Sequence, residues 1–294
     1  METPKYSIGL HKSLLLLFLA IYIISLLATP AAVNATDVSG HISQDTVWTL
    51  AGSPYRVTSD LIIDPGATLA IEAGVRVEVM DGVNIIVNGS LIVQGEPGNE
   101  VTFTSGSSNP QPGAWGTILF IGGNDETLLL NNTRILYAQY GVTIESRGEA
   151  YILDSAIESS SMAGIKTLGV VDVSIHSSLI SGAPTGVESV DGDDNKAAGV
   201  SIYDTYIEAY DKGVYILVDE LFNAYIFNYT IQNSVIKSGN NSIAIYAYAS
   251  DSHGISDVSD VYIIGNNMTS DGDNIVIYGD SGWSTRIYRI KIII

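Results

Sequence analysis

The sequence predicts an all-β solenoid, a parallel β-helix with an N-terminal cap, on three observations. A short pattern recurs six times between Leu130 and Ile277, the spacing of its copies drifts upward, and its apolar residues alternate. The first copy reads Leu130-x-x-Thr133-x-Ile135, and later copies start at Ile152, Ile175, Ile202, Ile231 and Ile263. Each places a polar residue three positions on (Thr133, Ser155, Ser178, Thr205, Ser234, Asn266). A second apolar residue follows two positions later (Ile135, Ile157, Ile180, Ile207, Ile236, Met268). Then comes a small or turn-forming residue with a β-branched one: Gly141-Val142, Gly164-Ile165, Gly186-Val187, Gly213-Val214, Ser242-Ile243, Asn274-Ile275.

Each part of that pattern has a physical reading. A repeat in the twenties of residues whose length grows is a coil with fixed corners and variable loops. Alternating apolar residues broken by Gly or polar turns read as short strands. Helical i, i+3, i+4 spacing is missing after the N-terminus, and the fixed leucines and Asn of leucine-rich repeats are missing too. Stacked coils put like positions above one another at about 4.8 Å. The isoleucines should then form an inner apolar ladder, since their χ1 is already restricted. The Thr, Ser and Asn residues should form a buried polar ladder, bonded to neighbouring coils or turn backbone.

Taken in order, residues 1–35 read as a secretory leader. Lys5 and Lys12 precede an apolar run from Leu14 to Ala28, and Val33, Asn34 and Ala35 offer small residues at the cleavage site. The run is short for a membrane span, so membrane contact is expected only through an uncleaved leader. Removing Lys5, Lys12 and Glu2 with the leader takes the net charge from −19 to about −20. Such a surface repels nucleic acid and anionic lipid. It also suits a polyanionic sugar poorly unless metal ions bridge. There is no cysteine, hence no disulfide framework. Five Asn-x-Ser/Thr sequons, at Asn88, Asn131, Asn228, Asn240 and Asn267, could carry glycans outside the cell.

Residues 36–294 are expected to form a single domain. Within it, 36–60 would cap the open solenoid end, with Trp48 and Tyr55 as plugs. First coils would occupy 61–126, where glycines at 66, 74, 82, 89 and 95 punctuate short strands. Read alone, this stretch would equally suit antiparallel hairpins with Asp-Gly and Asn-Gly turns. Residues 105–116 form a breaker-rich loop, and 127–294 hold the repeat coils. The apolar strand from Arg286 to Ile294 is expected to be uncapped or truncated: either the chain is a fragment, the reading preferred, or this edge pairs with a partner or a second copy.

The words Gly40-His-Ile42, Asp45-Thr-Val-Trp48, Ser53-Pro-Tyr55, Pro65-Gly-Ala-Thr-Leu-Ala-Ile71, Val101-Thr-Phe103 and Gly113-Ala-Trp-Gly116 carry a resemblance. They are similar to secreted right-handed parallel β-helix proteins of the pectin-lyase-like superfamily, over about residues 37–280. That resemblance implies a right-handed coil. It leaves function open among lyases, hydrolases, adhesins and structural proteins.

Polygalacturonase-like hydrolases in this group use an Asp-Asp pair, a His-Gly and an Arg-Ile-Lys. The chain holds Asp193-Asp194, His253-Gly254 and Arg289-Ile-Lys291. Asp193, Asp194 and His253 are therefore the catalytic candidates, since paired carboxylates can serve as acid and base. Their placement is unfavourable: Asp194 and His253 are 59 positions apart, against coils of 22–32, and Asn274-Ile-Val-Ile-Tyr278 stands where the basic motif belongs. Lyases of the group hold calcium. Asp191, Asp193 and Asn195 alternate as a hard cation requires, although Lys196 replaces the glycine that a calcium loop would place next. Zinc spacing, a phosphate loop and a nucleophile elbow are missing. The function expected first is a secreted or cell-surface structural or adhesive β-helix, non-catalytic and glycan-binding, with polysaccharide or cell-envelope partners. The alternative is a polysaccharide-degrading hydrolase or lyase.

Overall fold

The computed structural model describes residues 35–145, 147–192, 196–220, 223–249, 254–281 and 284–293. Residues 1–34, where the leader was expected, lie outside the described residues. Every strand pairing among the described strands is parallel, and one 3-10 turn, Leu50–Gly52, interrupts them. The chain is a right-handed parallel β-helix, as expected. Each coil has three strands, and the third face carries ten of them, from Thr46–Trp48 to Ser284–Ile293.

The first and second faces meet at a gentle corner. Strands Tyr55–Ile63, Leu179–Val190 and Tyr206–Glu220 run through it unbroken, so their two halves pair with different neighbours. The second face widens along the coil axis, from Ile85–Val87 through Tyr140–Ile144 to Asn241–Ala249. Residues 36–60, expected as a cap, include a coil of their own. Thr36–Ile42 pairs in parallel with Tyr55–Ile63, and Thr46–Trp48 with Thr68–Glu72. The rings of Trp48 and Tyr55 are buried and stack at 4.5 Å. The glycine-punctuated stretch 61–104 pairs in parallel with its neighbours, so the hairpin alternative is excluded.

The repeat describes the two other corners. Between the third and first faces the chain turns on one residue in the left-handed region: Asn132, Asp154, Ser177, Asp204 and Asn233 have φ of 45–52°, and Gly265 has 64°. Asn and Asp tolerate this conformation best among residues with a side chain. The residue after each is the buried polar member of the repeat. The Thr133 N–H donates to Ser155 Oγ at 3.0 Å, Ser155 N–H to Ser178 Oγ at 3.2 Å, and Ser178 N–H to Thr205 Oγ1 at 3.4 Å. Thr205 N–H continues to Ser234 Oγ at 3.2 Å and Ser234 N–H to Asn266 Oδ1 at 2.8 Å. Ser155, Ser178, Thr205 and Ser234 also donate their hydroxyls to the carbonyl two residues back, at 2.7–3.0 Å. One side chain thus satisfies a donor in the coil before it and an acceptor in its own turn.

Between the first and second faces, small residues let successive coils close up. A Cβ on Gly141, Gly164, Gly186 or Gly213 would collide with a methyl of Ile157, Ile180, Ile207 or Ile236 in the following coil. Ser242 fills the equivalent place further on, fully buried, and donates to Asn274 Oδ1 at 3.2 Å. The interior is a continuous apolar column. One polar patch interrupts it: Thr167 donates to Ser189 at 2.8 Å, with the buried Tyr229 hydroxyl facing both without a hydrogen bond of ordinary geometry.

Two substitutions test these corners by denaturant unfolding. Ser178→Ala should destabilise the fold by about 1–3 kcal/mol, because the buried Ser155 N–H loses its acceptor. Gly186→Val should cost at least as much through forced displacement of Ile207. A change below about 0.5 kcal/mol in either would contradict the packing described.

Candidate functional site

Of the acidic loop singled out by sequence, Asp191 is described, and it is half-buried, with its N–H donating to Leu217 O at 3.2 Å. Asp193, Asp194 and Asn195 lie outside the described residues, as does His253. Among the described residues, no three His, Asp or Glu side chains converge to hold a metal ion. Arg289, from the Arg-Ile-Lys word, sits on the third face with its guanidinium 2.5 Å from Asp260.

A groove of about 310 Å³ runs along the tight corner, lined in part by Glu100, Arg134, Asp154, Ser177, Asp204 and Tyr206. Its polar floor, Thr133, Ser155 and Ser178, is committed to the hydrogen-bond ladder. Arg134 is held by Glu158 at 2.8 Å. The groove therefore follows from how the corner is built and offers few free groups.

The second face offers more. Successive residues of a strand point to opposite sides, so Val214, Ile216 and Val218 enter the core while Tyr215, Leu217 and Asp219 face out. Parallel register stacks Ala244, Tyr246 and Tyr248 on those three, and Val276, Tyr278 and Asp280 on the next coil. Four tyrosines meet there. Tyr215 and Tyr246 contact edge to face at 6.1 Å, and Tyr246 and Tyr248 lie parallel at 5.9 Å. Tyr278 closes the group, 6.4 Å from Tyr246 and 5.5 Å from Tyr248. Such spacings are those of favourable aromatic pairs. Val190, Leu217 and Val276 make a half-buried apolar floor, and Ala244 lies wholly beneath the rings.

Carboxylates rim this platform. Tyr278 donates to Asp280 at 3.2 Å. Glu188 stands one coil before Tyr215, and Asp219 and Asp280 flank Tyr248 on either side. Two cations occur in the strands of this face among the described residues, and both are engaged. Lys212 binds Asp211 at 2.5 Å and lies 4.8 Å over the Tyr215 ring, while Lys166 lies 5.1 Å over Tyr140. The electrostatics follow. Burial, then the neighbouring tyrosines and acids, raises the Tyr215 and Tyr248 phenols, and the bond to Asp280 raises Tyr278. The site is a rigid aromatic surface with hydrogen-bond acceptors at its edge. Sequence reasoning missed it, although Tyr215, Tyr246, Tyr248 and Tyr278 alternate with apolar residues at positions the repeat puts in register.

Residues 40–152, the first part of the coil, match the family model of a pectate-lyase-like beta helix domain. The later coils follow from geometry alone. Among solved structures, the A-module of mannuronan C-5 epimerase AlgE4 from Azotobacter vinelandii is similar at 12% identity and a TM-score of 0.39. The alignment covers 93% of this chain and 92% of that one. No curated protein matches the sequence.

An alkaline titration checks the platform. An unfolded phenol ionises near about 10. Because the folded values of Tyr215, Tyr248 and Tyr278 are raised, folding favours their neutral form. That contribution is present below about pH 10 and is lost as pH rises through the folded values. Part of the phenolate absorbance should therefore appear later in the folded chain than in denaturant, and Tyr248→Phe should shrink the delayed fraction. Coincident titration curves would contradict the cluster.

Proposed function

We propose that the chain is an exported, cell-surface β-helix that binds glycans through the tyrosines of its second face, with no catalytic step of its own. The observation behind this reading is the platform of Tyr215, Tyr246, Tyr248 and Tyr278 beside Asp219 and Asp280. The faces of a pyranose ring present weakly positive C–H groups, which suit the negative face of an aromatic ring. Sugar hydroxyls at the edge suit carboxylate acceptors, and hydrogen bonds to a charged partner are the stronger kind. A parallel sheet holds these groups rigid before any ligand arrives, which limits the ordering cost of binding. The leader, the acidic surface and the sequons support placement outside the cell.

The family match over 40–152 supports a second reading, an enzyme that depolymerises polysaccharide. In it Asp193 and Asp194 supply the carboxylates. Incubating the full chain with neutral and acidic polysaccharides, with calcium and with chelator, separates the two. Under the first reading no new chain ends appear, and the folded protein is retained on an insoluble glycan. Tyr246→Ala with Tyr248→Ala then reduces retention at least tenfold, the loss of about 1.4 kcal/mol or more. New chain ends that vanish in Asp193→Asn with Asp194→Asn would install the enzyme reading instead.

A further inference from the structure

We infer that the tyrosine face selects uncharged glycan chains and rejects polyuronates. This rests on the glycan-binding reading above and adds the class of sugar. The argument is one of charge. Asp219 and Asp280 flank Tyr248, each one coil or about 5 Å away, and Glu188 stands one coil before Tyr215. At physiological salt charges are screened over about 8 Å, so a carboxylated sugar over Tyr248 meets Asp219 and Asp280 at effective range, and one over Tyr215 meets Glu188.

A chain of uronic acids would need cations to hold it, and both lysines in the described strands of this face are engaged. Lys212 is occupied by Asp211 and by the Tyr215 ring, and Lys166 by the Tyr140 ring. Elsewhere, five of the six arginines beyond residue 35 are ion-paired: Arg56 and Arg76 with Glu78, Arg134 with Glu158, Arg286 with Asp257 and Arg289 with Asp260. Nor, among the described residues, do three His, Asp or Glu side chains gather to hold a bridging cation. An uncharged chain meets none of these penalties. Its C–H faces lie on Tyr246, Tyr248 and Tyr278, and its hydroxyls donate to Asp219 and Asp280. Discrimination then comes from like charge set against the wrong ligand, the device by which binding sites reject close analogues.

The test is calorimetry of the full chain with oligosaccharides of matched length: uncharged gluco- and manno-oligosaccharides against oligogalacturonate, in chelator and about 0.15 M salt. The uncharged series should bind, and oligogalacturonate should bind at least about tenfold more weakly. The gap should narrow in Glu188→Gln with Asp219→Asn and Asp280→Asn, and again at about 1 M salt, where screening reaches about 3 Å. Oligogalacturonate binding as tightly as the uncharged series, and lost in Tyr248→Ala, would overturn the charge selection and leave the glycan-binding face standing. No binding of either series to the folded protein, or binding untouched by Tyr246→Ala with Tyr248→Ala, would overturn both.

Discussion

A coil in which each turn lies directly on the last must resolve one problem first, the backbone groups at its sharpest corner. A turn made on a single left-handed residue points a peptide N–H inward along the axis, where water cannot reach it. The chain answers with a column of Ser155, Ser178, Thr205, Ser234 and Asn266, each taking the N–H of the coil before, starting from that of Thr133. A buried donor without a partner costs about 1–3 kcal/mol, so this column fixes register from coil to coil. Everything outside it follows. Once the corner residues stand above one another, the isoleucines of the first face, the glycines of the next corner and the tyrosines of the second face are forced into rows of their own.

The second face is free because the corner is not. Its side chains take no part in closing the coil, and its strands lengthen from Ile85–Val87 to Asn241–Ala249 with no break in the polar column. The added length appears as outward pairs: Leu217 and Asp219, then Tyr246 and Tyr248, then Tyr278 and Asp280. Aromatic surface and acid therefore arrive together. They sit on a support as rigid as the core beneath, formed by Val214, Ile216, Ile243 and Ile245.

The fold was legible in the sequence because its strongest constraint is periodic. Thr133 to Asn266 could be aligned by eye, and the apolar residues two places later marked the inward side. The left-handed residue ahead of each was as regular but harder to see, because Asn and Asp at 132, 154, 204 and 233 give way to Ser177 and Gly265, which share only the backbone conformation. Residues 36–60 were read as a cap because an open solenoid end must be covered, and the parallel pairing of Thr36–Ile42 with Tyr55–Ile63 and of Thr46–Trp48 with Thr68–Glu72 emerges in three dimensions alone. The tyrosine face was missed for a related reason. Tyr215, Tyr246 and Tyr278 are about thirty positions apart, and the search for chemistry followed local words such as Asp193-Asp194. A surface assembled across coils leaves no local word.

The widening of the second face also has an arithmetic. A strand alternates its side chains between core and solvent, so it can grow without turning the core inside out by two residues at a time. Each such step adds one inward residue to lengthen the apolar column sideways and one outward residue to the working surface. The coils from Tyr206 onward, with their extra outward positions at 219, 248 and 280, are longer in this way than those before them. Specificity on such a scaffold is set by parity: a pair inserted beyond the second-face rows changes what the protein can hold, whereas a single residue inserted there would exchange its lining for its surface.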